Sequence, residues 1–290
     1  MLVIDTRTHV ISTDGERYPI DPVGGRRSDW SREHPVDLDG LLRALDNAGI
    51  DRAVVVLAST VCGHDNRYPA DSVAARPDRL VGVHSLDAMA PDAVARIAYG
   101  QSRGLAGFRL FTTGTTLPGQ AGWLGHPDTF PAWEHAEAQH MPICPQMTVE
   151  GIPAPRRARE RFPRTRVLLD HRARPDLSDG RPYRRSGALF ELAEFPGVHR
   201  KPTHRAIGAA RQGTSTVPDF LAALLSAYGS ARLMWGCKVP SVEGELADLL
   251  GQARASLASL PAADAEAVFG GTAERFSWGA RARTKENGDA

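Results

Sequence analysis

Cysteine is scarce. Cys62, Cys144 and Cys237 are the three in 290 residues, far apart and without a C-x-x-C pair. An odd, dispersed set excludes a disulfide framework and points to a reducing, cytoplasmic setting. Charge of one sign is also missing. Lys and Arg number 35 against 34 Asp and Glu, for a net charge of +1. Such a chain has no global field to draw in nucleic acid or an anionic membrane, and neither is expected as a partner. No run reaches the roughly 18 apolar residues of a membrane span. No basic region precedes an apolar core at the N-terminus, so no signal peptide is expected. A Gly-rich phosphate loop is absent after the first apolar run, and Gly104 and Gly107 lack dinucleotide spacing.

What is present starts at the N-terminus. Leu2-Val3-Ile4-Asp5 runs into Thr6-Arg7-Thr8-His9-Val10, which reads as a buried parallel strand. Side chains alternate along a strand, so Arg7 and His9 share a face. Residues 11–36 follow without a clear period, holding Tyr18, Gly24-Gly25 and Trp30. A structureless stretch of this length is usually functional or disordered, and its aromatics favour a packed loop over a site. Residues 38–48 then read as a helix. Leu38, Leu41, Leu42 and Leu45 keep the helical period and Gly49 ends it.

The alternation continues. Strands are predicted at 53–57, 80–85, 105–111, 142–147, 167–171, 198–201 and 233–236. Helices are predicted between them, near 70–75, 91–101, 130–139, 152–161, 189–193 and 217–228, with two more at 243–259 and 262–269. Pro145 lacks a ladder donor and is awkward in a central strand. The Arg156–Arg159 and Arg184-Arg185 clusters read as solvated surface. Eight strands alternating with helices, with 42% hydrophobic residues, argue for an α/β fold, a closed (β/α)8 TIM barrel. It would be one domain over 1–278, with 11–36 over its mouth and a polar tail at 279–290. Pairing into a homodimer is open to such a barrel.

In a barrel the C-terminal strand ends face the active site. Here they carry Arg7, His9, His84, Arg109, Gln146, Asp170, His171, Lys201 with nearby His204, and Lys238. Asp170 and His171 are neighbours and must face opposite ways, so His171 is expected inward and Asp170 outward. Each imidazole alone could be a satisfied core residue, and Lys238 could pair with Asp5 or a loop carboxylate. Converging at one rim, they favour a site.

Several segments together resemble a known family. They are Ile4-Asp5-Thr6-Arg7-Thr8-His9, residues 46–54, Gly107-Phe108-Arg109, Leu169-Asp170-His171, Leu233-Met234-Trp235-Gly236 with Pro240, and Gly271-Thr272-Ala273 with Phe276. Over about residues 2 to 277 the chain is similar to the second amidohydrolase family, TIM barrels that include lactonases, carboxylate hydrolases and decarboxylases. The resemblance implies that fold and a site at the barrel mouth. Metal-binding members carry H-x-H on the first strand, a histidine on the fifth and an Asp on the eighth. Here those positions hold Arg7 before His9, Gln146 and Lys238, while His171 matches on the sixth.

Two cations at ligand positions oppose a divalent ion, so neither a catalytic metal nor another cofactor is expected. The mouth should instead take a small anionic substrate. His9, His171, Lys238 and Arg7 are the candidate catalytic groups. Arg109, Gln146, Lys201, His204, Tyr18 and Trp30 are the candidate binding groups, with Trp123 as a further wall. Three readings stand: a metal-independent hydrolase of a lactone or related ester, a Schiff-base lyase or decarboxylase using Lys238, and a non-catalytic binding protein.

Overall fold

In the computed structural model, which describes residues 1–169 and 175–279, the strands form one parallel sheet. The side chains of His204 and Arg205 also lie outside the description. Strand order follows the chain: β1 (Ile4–Thr8), β2 (Arg52–Val56), β3 (Leu80–Ser85), β4 (Leu105–Phe111), β5 (Ile143–Gln146), β6 (Val167–Leu169) and β7 (Val198–Arg200). Every pairing is parallel. Helices connect the strands, as parallel pairing requires. The first, Leu38–Ala48, shows the local logic. Asp37 accepts from Gly40 N at 2.8 Å, and Gly49 closes the helix at φ 65°. A side-chain cap of this kind contributes about 1 kcal/mol.

The strands divide the core in two. Outward residues such as Ala53, Val55, Leu80, Phe108 and Ile143 pack with Leu41, Leu45, Ile97 and Trp133 of the helices. Inward residues Ile4, Val54, Val56, Val81, Val83, Ala106, Cys144 and Leu168 form a second cluster with Phe276. Phe276 closes the end where the strands begin, against His199 and beside Arg166, whose Nη2 donates to Phe276 O at 2.8 Å.

The expected eighth strand is not formed among the described residues. Residues 233–239 instead lie between β7 and β1 with sparse bonding. Leu233 makes an isolated parallel bridge with Arg200. Met234 N donates to Arg200 O at 3.1 Å, Thr6 N to Trp235 O at 3.2 Å, and Lys238 N to Arg7 O at 2.9 Å. At the end of the segment Lys238 takes a positive φ of 85°, a backbone state that side-chain-bearing residues seldom adopt.

Other differences have local causes. Pro145 is accommodated because β5 has four residues and meets β6 through one partner pair, Ile143 with Val167. The loop 11–36 contains a helical turn, Asp29–Glu33, and a further helix spans His204–Ala209. Arg159 is buried rather than solvated, because its guanidinium folds back to the carbonyls of Phe162 and Thr165. The tail beyond 279, Asp170 and His171 lie outside the described residues.

Candidate active site

The inner face of β1 is set by an irregularity. Asp5 pairs with Ala53, but Thr8 pairs with Val55, so three steps of β1 match two of β2. The extra residue is a bulge, which re-aims the side chains beyond it. Ile4 and Thr6 point inward before it, and Arg7 and His9 point inward after it. Asp5 stays on the outer side. Its carboxylate accepts from Arg7 N at 2.9 Å, Cys237 N at 3.1 Å and Cys237 Sγ at 2.5 Å. These bonds pin β1 to residues 237–238. Burial pushes the Asp5 carboxyl up to about 6, against those hydrogen bonds. Its oxygens take these three donors.

His9 is buried, and its Nδ1 lies 2.6 Å from Val56 O. A carbonyl only accepts, so Nδ1 carries the proton and Nε2 keeps the lone pair of the neutral ring. Burial, and then the charges of Arg7 and Arg109, hold the imidazole well below its ordinary range. Trp30 stacks on this ring at 5.5 Å between centroids. The loop 11–36 thus reaches the site through Trp30. It is anchored by Ser28 N to Thr60 O at 3.2 Å and Val23 N to Ser59 O at 2.9 Å. Its far side meets the loop after β4, where Thr116 Oγ1 donates to Val23 O at 2.7 Å.

Strand alternation brings further cations to the same face. Phe108 packs outward, so Arg109 points in, and its Nη1 donates to Leu57 O at 3.1 Å. Gln146 donates to Thr113 O at 2.5 Å and accepts from Arg7 Nη2 at 3.4 Å. Lys201 follows outward Arg200, and its Nζ donates to Thr6 O at 2.7 Å. Trp235 and Cys237 pack with the outer cluster, which turns Lys238 inward. A side chain at Gly236 would meet Thr6 Oγ1, so glycine lets the seam close there. Arg7, His9, Arg109, Gln146, Lys201 and Lys238 are all buried.

Three expected site residues are placed elsewhere. His84 points outward, its ring beside Phe108 and against Gly100. Tyr18 donates to Asp71 at 2.7 Å and packs on Tyr68, because the helix Arg67–Ala75 offers it a carboxylate and an aromatic partner. Trp123 packs with the outer core. His171, and the side chain of His204, lie outside the described residues. Sequence reading missed the Asp5–Cys237 pin. Those residues are 232 positions apart, and nothing local joins them.

Parallel strands, a plugged lower end and polar side chains at the upper end define a class. The chain belongs to the amidohydrolase family: the family profile described as amidohydrolase matches residues 4–276. It is a hydrolase of that family. An L-fucono-1,5-lactonase from Burkholderia ambifaria is 30% identical over 209 residues, covering 71% of this chain and 69% of that protein. Two solved structures share the fold. A putative 2-pyrone-4,6-dicarboxylic acid hydrolase from Pseudomonas putida has a TM-score of 0.75 at 24% identity, with 96% of this chain and 97% of that one covered. An amidohydrolase from Burkholderia multivorans with bound zinc has a TM-score of 0.74 at 21% identity, with 96% and 99% covered.

Proposed function

We propose that the protein is a metal-independent hydrolase that opens a lactone or related ester on a small carboxylated substrate. It works at the mouth of a single-domain (β/α)8 barrel whose eighth position is filled by residues 233–239. The observation that carries this reading is the inward convergence of Arg7, Arg109, Lys201 and Lys238 beside the tautomer-fixed His9. Arginine binds carboxylates through paired N–H groups, and lysine adds a point charge. A lactonase among the relatives supports the bond type.

A metal is tested by the donors. Among the described residues no three His, Cys, Asp or Glu side chains group to hold one. With Nδ1 on Val56 O, His9 offers Nε2 as a single imidazole donor. Arg7 and Lys238 join the same face, and each like-charge pair with a metal at ~4 Å costs on the order of 4 kcal/mol per unit charge product. The described residues do not fit a divalent ion.

In the proposed reaction, water attacks the lactone carbonyl and its proton passes to His9 Nε2. His171, named from the sequence, is the other candidate base. Arg7 or Lys238 stabilises the developing oxyanion. The ring C–O bond then breaks, and the proton returns to the departing alkoxide. The product is a hydroxy acid. A panel of carboxylated and sugar-acid lactones, followed by acid release, tests this. Turnover that His9→Gln abolishes is expected. No turnover across the panel would remove the reading.

A further inference from the structure

Lys201 is a fully buried lysine on the inner face. Its amine sits below Arg7 with one hydrogen bond, to Thr6 O at 2.7 Å, and the residue is 3% exposed. Among the described residues, the charged and titratable groups that act on it are Arg7 from β1, Arg109 from β4 and Cys144 from β5, with Asp5 acting from the outer side of β1. The carboxylate among them, Asp5, is already held by Arg7 N and by Cys237 through N and Sγ. The rest of the lining is mostly apolar, including Val54, Val83 and Leu168, with the hydroxyls of Thr6 and Ser277 among it. An ammonium here has lost water and, among the described residues, gained no ion pair, while guanidinium groups face it.

We propose that an anionic group binding at the mouth brings a proton with it, and that the proton lands on Lys201 Nζ. Lys201 would thus be a positioning residue whose charge is created by the ligand. The inference rests on the anionic-substrate reading above. Burial already pulls the amine down to about 7, with Arg7 and Arg109 adding to the effect and Cys144 and Asp5 opposing it. An anion held beside it stabilises the charged form and raises that value. Between the free and liganded values, binding takes up about one proton, and affinity falls about tenfold per pH unit. Asp5 titrates near 6, so measurements above pH 7 separate the two groups.

The test is calorimetric titration of the whole protein with fumarate and with sulfate, neither of which titrates above pH 7. Two amine buffers of different ionisation enthalpy are used at pH 8. The difference in heat between buffers counts the protons taken up. Uptake in the wild type, absent in Lys201→Met and in Lys201→Gln, is the expected result. Melting curves check that each variant is folded. Binding with no uptake, or uptake that persists in a folded variant, overturns the linkage and leaves the anionic reading standing. No binding of either anion overturns both.

Discussion

His9 and Asp5 are two buried titratable groups used in opposite ways. His9 has its donor fixed on Val56 O and its acceptor left over. His9→Gln keeps a polar side chain but cannot take a proton at neutral pH. Turnover should fall by about 10²–10⁴-fold, with little change in melting temperature. A loss below tenfold would assign the base to another group, His171 first. Asp5 is a structural carboxylate forced to ionise without water. Its folded value, about 6, lies above its ordinary 3.8. The stability it contributes is full below about 3.8 and is lost as pH rises through about 6. An asparagine could keep Oδ1 on the two backbone N–H groups and turn its amide towards Cys237 Sγ. Asp5→Asn should therefore gain stability relative to wild type as pH rises from 4 to 7. Denaturant melts at several pH values measure this, and a pH-independent difference would contradict it.

Among the elements, β1 and the loop after it supply Arg7, His9 and Trp30 of the candidate site. The strand was legible from its apolar run, and the shared face of Arg7 and His9 from simple alternation. The bulge between Asp5 and Thr8 was not, because it depends on pairing with β2. His84 was misplaced for the converse reason. It lies between Val83, which is inward, and a helix it touches through Gly100. The eighth element was legible as an apolar run, but its side-chain aim depends on a left-handed Lys238 that no propensity foretells. For the covering loop, the contact to test is at Gly24. Its φ is 87°, and a Cβ there would run into Thr116 O. Gly24→Ala should loosen the junction with the loop after β4 and speed proteolysis within 12–36 by about tenfold. Unchanged cleavage would mean that the junction does not hold the loop.

Across the whole molecule, two features hold the curled seven-stranded sheet together. One is the 233–239 segment, bonded to β7 on one side and β1 on the other. The other is Phe276, which packs with the inner cluster beneath Val54, Val83 and Leu168. Phe276→Ala should cost about 3–5 kcal/mol of unfolding free energy, read from denaturant melts. A cost below about 1 kcal/mol would mean that the lower end is not sealed by this ring. The alternation of strands and helices that sets this architecture was readable throughout the chain. The chemistry at its upper end was readable as residue types, while their distances and partners required the folded chain.

The measurement that bears most directly on the account is lactone hydrolysis by untagged protein after exhaustive chelation, with bound metals counted on the same sample. The account expects acid release to continue at an undiminished rate with far less than one metal per chain. Activity that vanishes with the metal and returns when zinc is added back would contradict it.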